Sequence, residues 1–194
     1  AVFSFTNLWY RDAYAAANSP GVARASLEAM RRSIEQFRRF TDFAVVNIHW
    51  GDEYTNYPSD EQVELGRALI DAGADAVIGH HSHVYQGVEV YRGKPIVYSL
   101  GNFVFGSINE DIRDNIVVAL DFGRHGLASL RVFAISGNTA SHPFQPARIT
   151  GNDAESVLAH VLEISRPLKS DFPKKAALTD SALVYRFEVT EKKP

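Results

Sequence analysis

Two short apolar runs, FAVVNI at 43–48 and DAVIG at 75–79, enclose a segment patterned as a helix, and this arrangement restricts the fold more than any other feature. The runs are rich in β-branched residues, which suits buried strands. Between them, Ser59 followed by Gln62 forms a capping box, and Asp60 and Glu61 complement the positive end of the helix dipole. Val63, Leu65, Leu69 and Ile70 give this helix an apolar side, and Gly73 supplies a left-handed stop. Strand, helix and strand in that order make a βαβ unit, with parallel strands and a right-handed crossover.

The rest of the chain is read around that unit. Residues 1–6 (AVFSFT) predict a short buried strand. Ser19-Pro20-Gly21 offers a helix start, and Leu27, Met30, Ile34 and Phe37 recur at helical spacing, predicting a helix over 21–40. The character then changes to hairpins. One covers 88–100 and turns at Arg92-Gly93; a second joins 115–122 to 127–136 around 123–126. A helix over 152–165, a softer Pro- and Lys-bearing connection at 166–177 and a strand over 181–189 complete the reading. A parallel βαβ unit followed by antiparallel strands places the chain in the α/β class, as layered sheets flanked by helices in a single domain over 1–194.

Composition narrows the chemistry. A net charge of −3 gives no general attraction to nucleic acid, and Arg31, Arg32, Arg38 and Arg39 read as the solvated face of a helix. Without cysteine, disulfides and thiolate zinc sites are excluded, so any metal must be held by His, Asp, Glu or Asn. No stretch approaches the roughly 20 apolar residues of a membrane-spanning helix. The chain opens on Ala1 rather than Met, and it is expected to be a fragment or a processed product.

The chemistry concentrates after the two strands of the βαβ unit. Gly79-His80-His81-Ser82-His83 follows the second, and His49-Trp50-Gly51-Asp52-Glu53 follows the first. In an extended turn His81 and His83 point to one side, and imidazole is the commonest metal-binding side chain. Adjacent parallel strands bring their carboxyl ends together, which is where ligands bind in open α/β sheets. His49, His81 and His83 are therefore expected to share a metal site. Alternation turns His80 away toward packing. Glu53 is read either as a ligand, an acceptor behind one or a base, or as an exposed loop carboxylate. Asn102, in the turn Ser99-Leu100-Gly101-Asn102-Phe103, either faces the same cleft or simply tolerates a tight turn. Trp50 and Tyr54 are open between pocket wall and core. His125, His142 and His160 read as structural or surface residues.

These residues resemble a known family. His49-Trp50-Gly51, Glu53-Tyr54, Pro58, Gln62, the run from Asp71-Ala72-Gly73-Ala74-Asp75 to Gly79-His80-His81, His83-Val84, and Gly93-Lys94-Pro95-Ile96-Val97-Tyr98-Ser99-Leu100-Gly101-Asn102-Phe103 are similar to the CapA family of poly-γ-glutamate capsule synthesis proteins. The motif-bearing core covers 43–106, Pro20-Gly21-Val22 is a looser echo, and 137–194 reads as a C-terminal extension without a motif. The resemblance implies the C-terminal half of a metallophosphoesterase-like layered α/β/β/α sandwich. It implies two divalent metals (Mn, Fe, Zn or Mg), with His49 as a lone ligand and His81 and His83 as a pair. Glu53 and Asn102 would be the catalytic, substrate-orienting groups in metal-assisted hydrolysis of a phosphoester or amide-like centre.

The family's earlier acidic and Asn-His motifs lie upstream and have no counterpart here; Gly51-Asp52 and Gly101-Asn102 fall in the wrong order to replace them. The upstream half of the domain is thus an implied partner, and this chain alone is not expected to turn over substrate. The alternative reading is a non-catalytic accessory that binds or guides an acidic polymer. Either version is expected at the cell surface, outside the cytoplasm, in a membrane-associated capsule-synthesis assembly, with no role for nucleic acid.

Overall fold

The computed structural model describes residues 1–8, 13–105, 112, 114–124, 126–137, 144–179 and 181–188. His125 and His142 lie outside these residues, as do positions 106 and 189 at the ends of two predicted segments.

The βαβ unit is present. Strand β2 (Val45–His49) leads through helix α2 (Asp60–Asp71) to strand β3 (Ala76–His80), and β2 and β3 pair in parallel. The capping box is complete: the Ser59 hydroxyl accepts the Gln62 backbone N–H, and the Gln62 side chain accepts that of Ser59. Gly73 takes the left-handed conformation (φ 107°) just past the helix. Strand β1 (Val2–Thr6) adds in parallel to β2, while β4 (Val88–Tyr91) and β5 (Lys94–Val97) form the predicted hairpin. Arg92 and Gly93 both have positive φ (49° and 73°), as a tight hairpin turn requires. Because β5 pairs in parallel with β3, the first sheet runs β1-β2-β3-β5-β4.

Alternation along these strands gives the sheet two buried faces. Val46, Ile48, Val77 and Ile96 pack with Met30 and Ile34 of helix α1 (Leu27–Arg38) and with Leu69 and Ile70 of α2. Their neighbours Ile78 and Val97, with Val88 and Val90, face the opposite core. That second core is shared with an antiparallel sheet and a helix. Strands β6 (Asp114–Gly123) and β7 (Gly126–Ser136) form the long hairpin, joined by the short β8 (Ala147–Arg148), β9 (Ala177–Leu178) and β10 (Leu183–Arg186). Ile116, Leu130, Val132, Ala134 and Leu183 meet Val157, Leu158, Val161 and Ile164 of helix α3 (Gly151–Ser165) there. The architecture is mixed α/β, with a parallel βαβ unit followed by antiparallel strands.

Three expectations are corrected. Strand β1 is an edge strand rather than a buried one, and Val2 is 68% exposed. Helix α1 begins at Leu27, capped by Ser26, and not near residue 21. The backbone before it is committed elsewhere: Thr6 N–H donates to Ala23 O (2.9 Å), Ala25 N–H to Thr6 O (2.7 Å) and Val22 N–H to Ala13 O (2.8 Å). The connection at 166–177 is packed, forming a 3₁₀ turn (Arg166–Leu168) and a short helix α4 (Phe172–Lys175) that buries Leu168 and Phe172. Among the described residues no helix is long and apolar enough to cross a membrane.

Candidate metal centre

Strands β2 and β3 stop in register, with His49 opposite His80, and Trp50 N–H then donates to His80 O (3.1 Å). Beyond β3 the chain does not stay extended. His81 (φ 108°) and His83 (φ 60°) both adopt positive φ, a conformation rare for side chains of this kind and often found at functional sites. Fully buried Ser82 secures the turn: its hydroxyl donates to Val84 O (2.7 Å), and its carbonyl accepts Tyr54 N–H (2.8 Å). The two rings therefore converge through turn geometry rather than through strand alternation, at 6.0 Å between centroids.

The Ser82–Tyr54 bond also draws the 51–57 loop over the histidines. Glu53 Oε1 lies 3.8 Å from His83 Nε2, and one ligand atom each of Glu53, His81 and His83 falls within 4.8 Å of the others. His49 stands beside this trio, its ring 4.8 Å from that of His81. His80, half-buried, does not join the trio.

Asn102 reaches the same place from β5. Its turn is pinned by Leu100 N–H donating to Gly79 O (3.2 Å), and its side-chain Oδ1 lies 2.9 Å from His83 Nδ1. A carbonyl oxygen only accepts, so the contact selects the tautomer with the proton on Nδ1 and leaves Nε2 with a lone pair facing Glu53. Asn102 is 8% exposed, and its Nδ2 has no partner among the described residues. Trp50 is core: it stacks on Tyr98 and donates from Nε1 to Tyr98 O (2.9 Å). Tyr54 and Phe105, both exposed, flank the His83 ring at 5.6 and 4.5 Å. His160 receives a structural partner, the Tyr85 hydroxyl (2.7 Å).

Three of the histidines are shifted toward their neutral form. Loss of water around the ring, reinforced by His81, His80 and His83, holds His49 below its ordinary value. Burial does the same for His80, and for His81 it outweighs the opposing pull of Glu53. Imidazoles beside a carboxylate form a donor set suited to a borderline or hard divalent cation. Glu53, His81 and His83 are the residues that could hold one, and the orphaned Asn102 amide N–H is available to an oxygen atom brought there.

Ser82 and Asn115 were not singled out from the sequence, although a polar residue opening the otherwise apolar run 115–120 was a readable signal. Asn115 Oδ1 accepts Asn102 N–H (2.7 Å).

The model of the bacterial capsule synthesis protein family matches residues 3–107, which include His49, Glu53, His81, His83 and Asn102 but stop short of Asn115. The chain belongs to that family. Among relatives in it, PGA biosynthesis protein CapA of Bacillus subtilis is 40% identical over 141 residues, covering 73% of this chain and 37% of that protein. Capsule biosynthesis protein CapA of Bacillus anthracis is 36% identical over 140 residues, covering 70% and 34%. A probable polyglutamine synthesis accessory protein of Mycobacterium tuberculosis is 43% identical over 67 residues, covering 34% and 18%. This chain of the capsule synthesis family thus spans about a third of the length of the two CapA proteins it matches.

Proposed function

We propose that this chain is the histidine-bearing part of a metallophosphoesterase-like hydrolase centre that serves poly-γ-glutamate capsule synthesis. The convergence of Glu53, His81 and His83 within 4.8 Å, at the carboxyl ends of parallel strands, carries this reading. His49 lies close enough to join through a modest ring movement or to hold a second ion. A divalent cation bound there supplies an acidified water and polarises a substrate oxygen.

The chain's own residues have separable tasks. Loss of water around the rings biases His49 and His81 toward the neutral form, so their lone pairs remain available near neutral pH. Asn102 orients His83 through Nδ1, and its free amide N–H can hold an oxygen of a phosphoester or of an amide-like centre. Tyr54 and Phe105 restrict water around His83. Glu53 is the one carboxylate of the trio, and the further acidic ligands of a dinuclear site would come from the rest of a longer protein. The names of the relatives support a role for such a protein in capsule or polyglutamine synthesis.

The test is metal analysis of the full-length protein, followed by a screen of phosphodiester and γ-glutamyl substrates. Stoichiometric divalent metal, with metal and turnover both lost in His81→Ala, is the expected result. A metal-free protein that still supports polymer production overturns the hydrolase reading and leaves a polymer-guiding accessory in its place.

A further inference from the structure

We infer that Asn115, on the second sheet, is the positioning residue of the histidine cluster: it fixes Asn102, and through Asn102 it sets the tautomer of His83. Asn115 is fully buried at the start of β6. Its Oδ1 accepts the Asn102 backbone N–H at 2.7 Å, and its Nδ2 donates to Ile112 O at 3.2 Å. The next residue strengthens the same junction, with Ile116 N–H donating to Leu100 O (3.0 Å). The antiparallel sheet thus grips the turn that follows β5 at two successive peptide groups, 100–101 and 101–102.

Gly101 shows how closely this grip is built. It has φ 76°, and a Cβ placed on it would lie 2.2 Å from Asn115 Oδ1. Only glycine leaves room for the Asn115 amide at that point. Gly137, just past β7, packs on the same amide less tightly: an added Cβ would lie 3.4 Å from Asn115 Nδ2 and 3.1 Å from Phe103 O. With its backbone held, Asn102 can aim Oδ1 at His83 Nδ1 (2.9 Å), so that His83 presents Nε2 toward Glu53. A side chain on the other sheet therefore governs which nitrogen of a histidine on the first sheet is free. Outer partners that fix a ligand imidazole's tautomer commonly change metal affinity ten- to a hundred-fold when removed.

The inference rests on the metal reading only for its affinity readout. Nitrogen NMR of the full-length, metal-free protein with labelled histidine reports the tautomer directly, with the His83 signal assigned by its loss in His83→Gln. Wild-type protein is expected to carry the His83 proton on Nδ1. Asn115→Leu is expected to shift His83 toward the Nε2–H form and leave the other histidine signals in place; Asn115→Asp, which keeps an acceptor at that point, is expected to restore the wild-type tautomer. In parallel, titration with Mn²⁺ or Zn²⁺ should show roughly ten- to hundred-fold weaker binding in Asn115→Leu, recovered in Asn115→Asp. Should the Leu variant not fold, Asn115→Ser shortens the side chain without adding an apolar group and is read the same way. An Nε2–H tautomer in the wild type, or an unchanged His83 in a folded Asn115→Leu or Asn115→Ser protein, overturns the inference. A tautomer shift in a protein that binds neither cation upholds it and removes the metal reading instead.

Discussion

The two sheets each carry an arginine–carboxylate pair of nearly the same N···O distances, in opposite surroundings. In the first, Arg67 donates to Glu89 from Nε (2.9 Å) and Nη2 (2.8 Å), and the Glu89 side chain is 3% exposed. Glu89 also accepts the Tyr98 hydroxyl (2.6 Å), so the carboxylate is fully engaged beneath the strand that leads to Asn102. In the second, Arg131 reaches Asp121 at 3.1 and 3.0 Å, but the Asp121 side chain is 46% exposed on the outer face of the hairpin. Burial, not bond length, separates them: a carboxylate removed from water depends on its partners, and one left in water does not. The first sheet is buried on both faces and tolerates little change. The second is buried on one face, and the Arg131–Asp121 pair on its other face meets water.

The harshest way to break this contrast is Gly79→Ala. An added Cβ would lie 1.9 Å from Tyr98 O and 2.5 Å from Trp50 Nε1, and no rotamer relieves a clash with backbone. We expect a loss of about 4 kcal/mol or more by urea denaturation, or no folded protein at all. A variant with wild-type stability would mean that the first sheet is looser than its packing.

Next in size is Arg67→Met, which leaves Glu89 buried with the Tyr98 hydroxyl alone. Removing one partner of such a pair is expected to cost about 3 kcal/mol, with Arg67→Met combined with Glu89→Leu recovering much of it. A smaller effect follows from acidification. His49, His80 and His81 all sit below the ordinary 6.5 in the folded chain, so the unfolded chain binds more protons as pH falls through that value. Their contribution to stability is present above about pH 6.5 and lost below it. In chelator-treated protein, the urea midpoint should fall between pH 7 and pH 5, and His80→Asn should shrink that fall. An equal fall in the variant would assign the acid sensitivity to other groups. Smallest of all, Arg131→Ala should leave the urea midpoint unchanged within error; a clear drop there would erase the distinction between the sheets.

The parts of the molecule readable in advance were those governed by neighbours in sequence. The Ser59–Gln62 capping box, the Arg92-Gly93 turn and the hairpin of β6 and β7 depend on residues a few positions apart, and local chemistry specifies them. The helix start near residue 21 failed for the opposite reason. Ser19-Pro20-Gly21 is a reasonable start taken alone, but pairing of residues 22–25 with β1 and with Ala13 claimed that backbone. The edge position of β1 was equally hidden, because AVFSFT carries apolar residues whichever place it takes in the sheet. Glu89 shows the limit most plainly: nothing local marks a strand glutamate as buried, and its partners are Arg67 of α2 and Tyr98, just past β5.

For the site, sequence alone determined which histidines gather and the strand ends that bear them. The order strand, helix, strand forces His49 and the His80–His83 cluster to one edge, since parallel neighbours must finish together. Tertiary structure decided the rest. It brought the exposed loop carboxylate of Glu53 in beside His81 and His83 through Ser82's carbonyl, and it turned His81 and His83 by positive φ instead of strand alternation. It also placed Asn115, from another sheet, behind Asn102 and His83. These outcomes depend on which surfaces bury against one another, and that is a property of the folded chain as a whole rather than of any window along it.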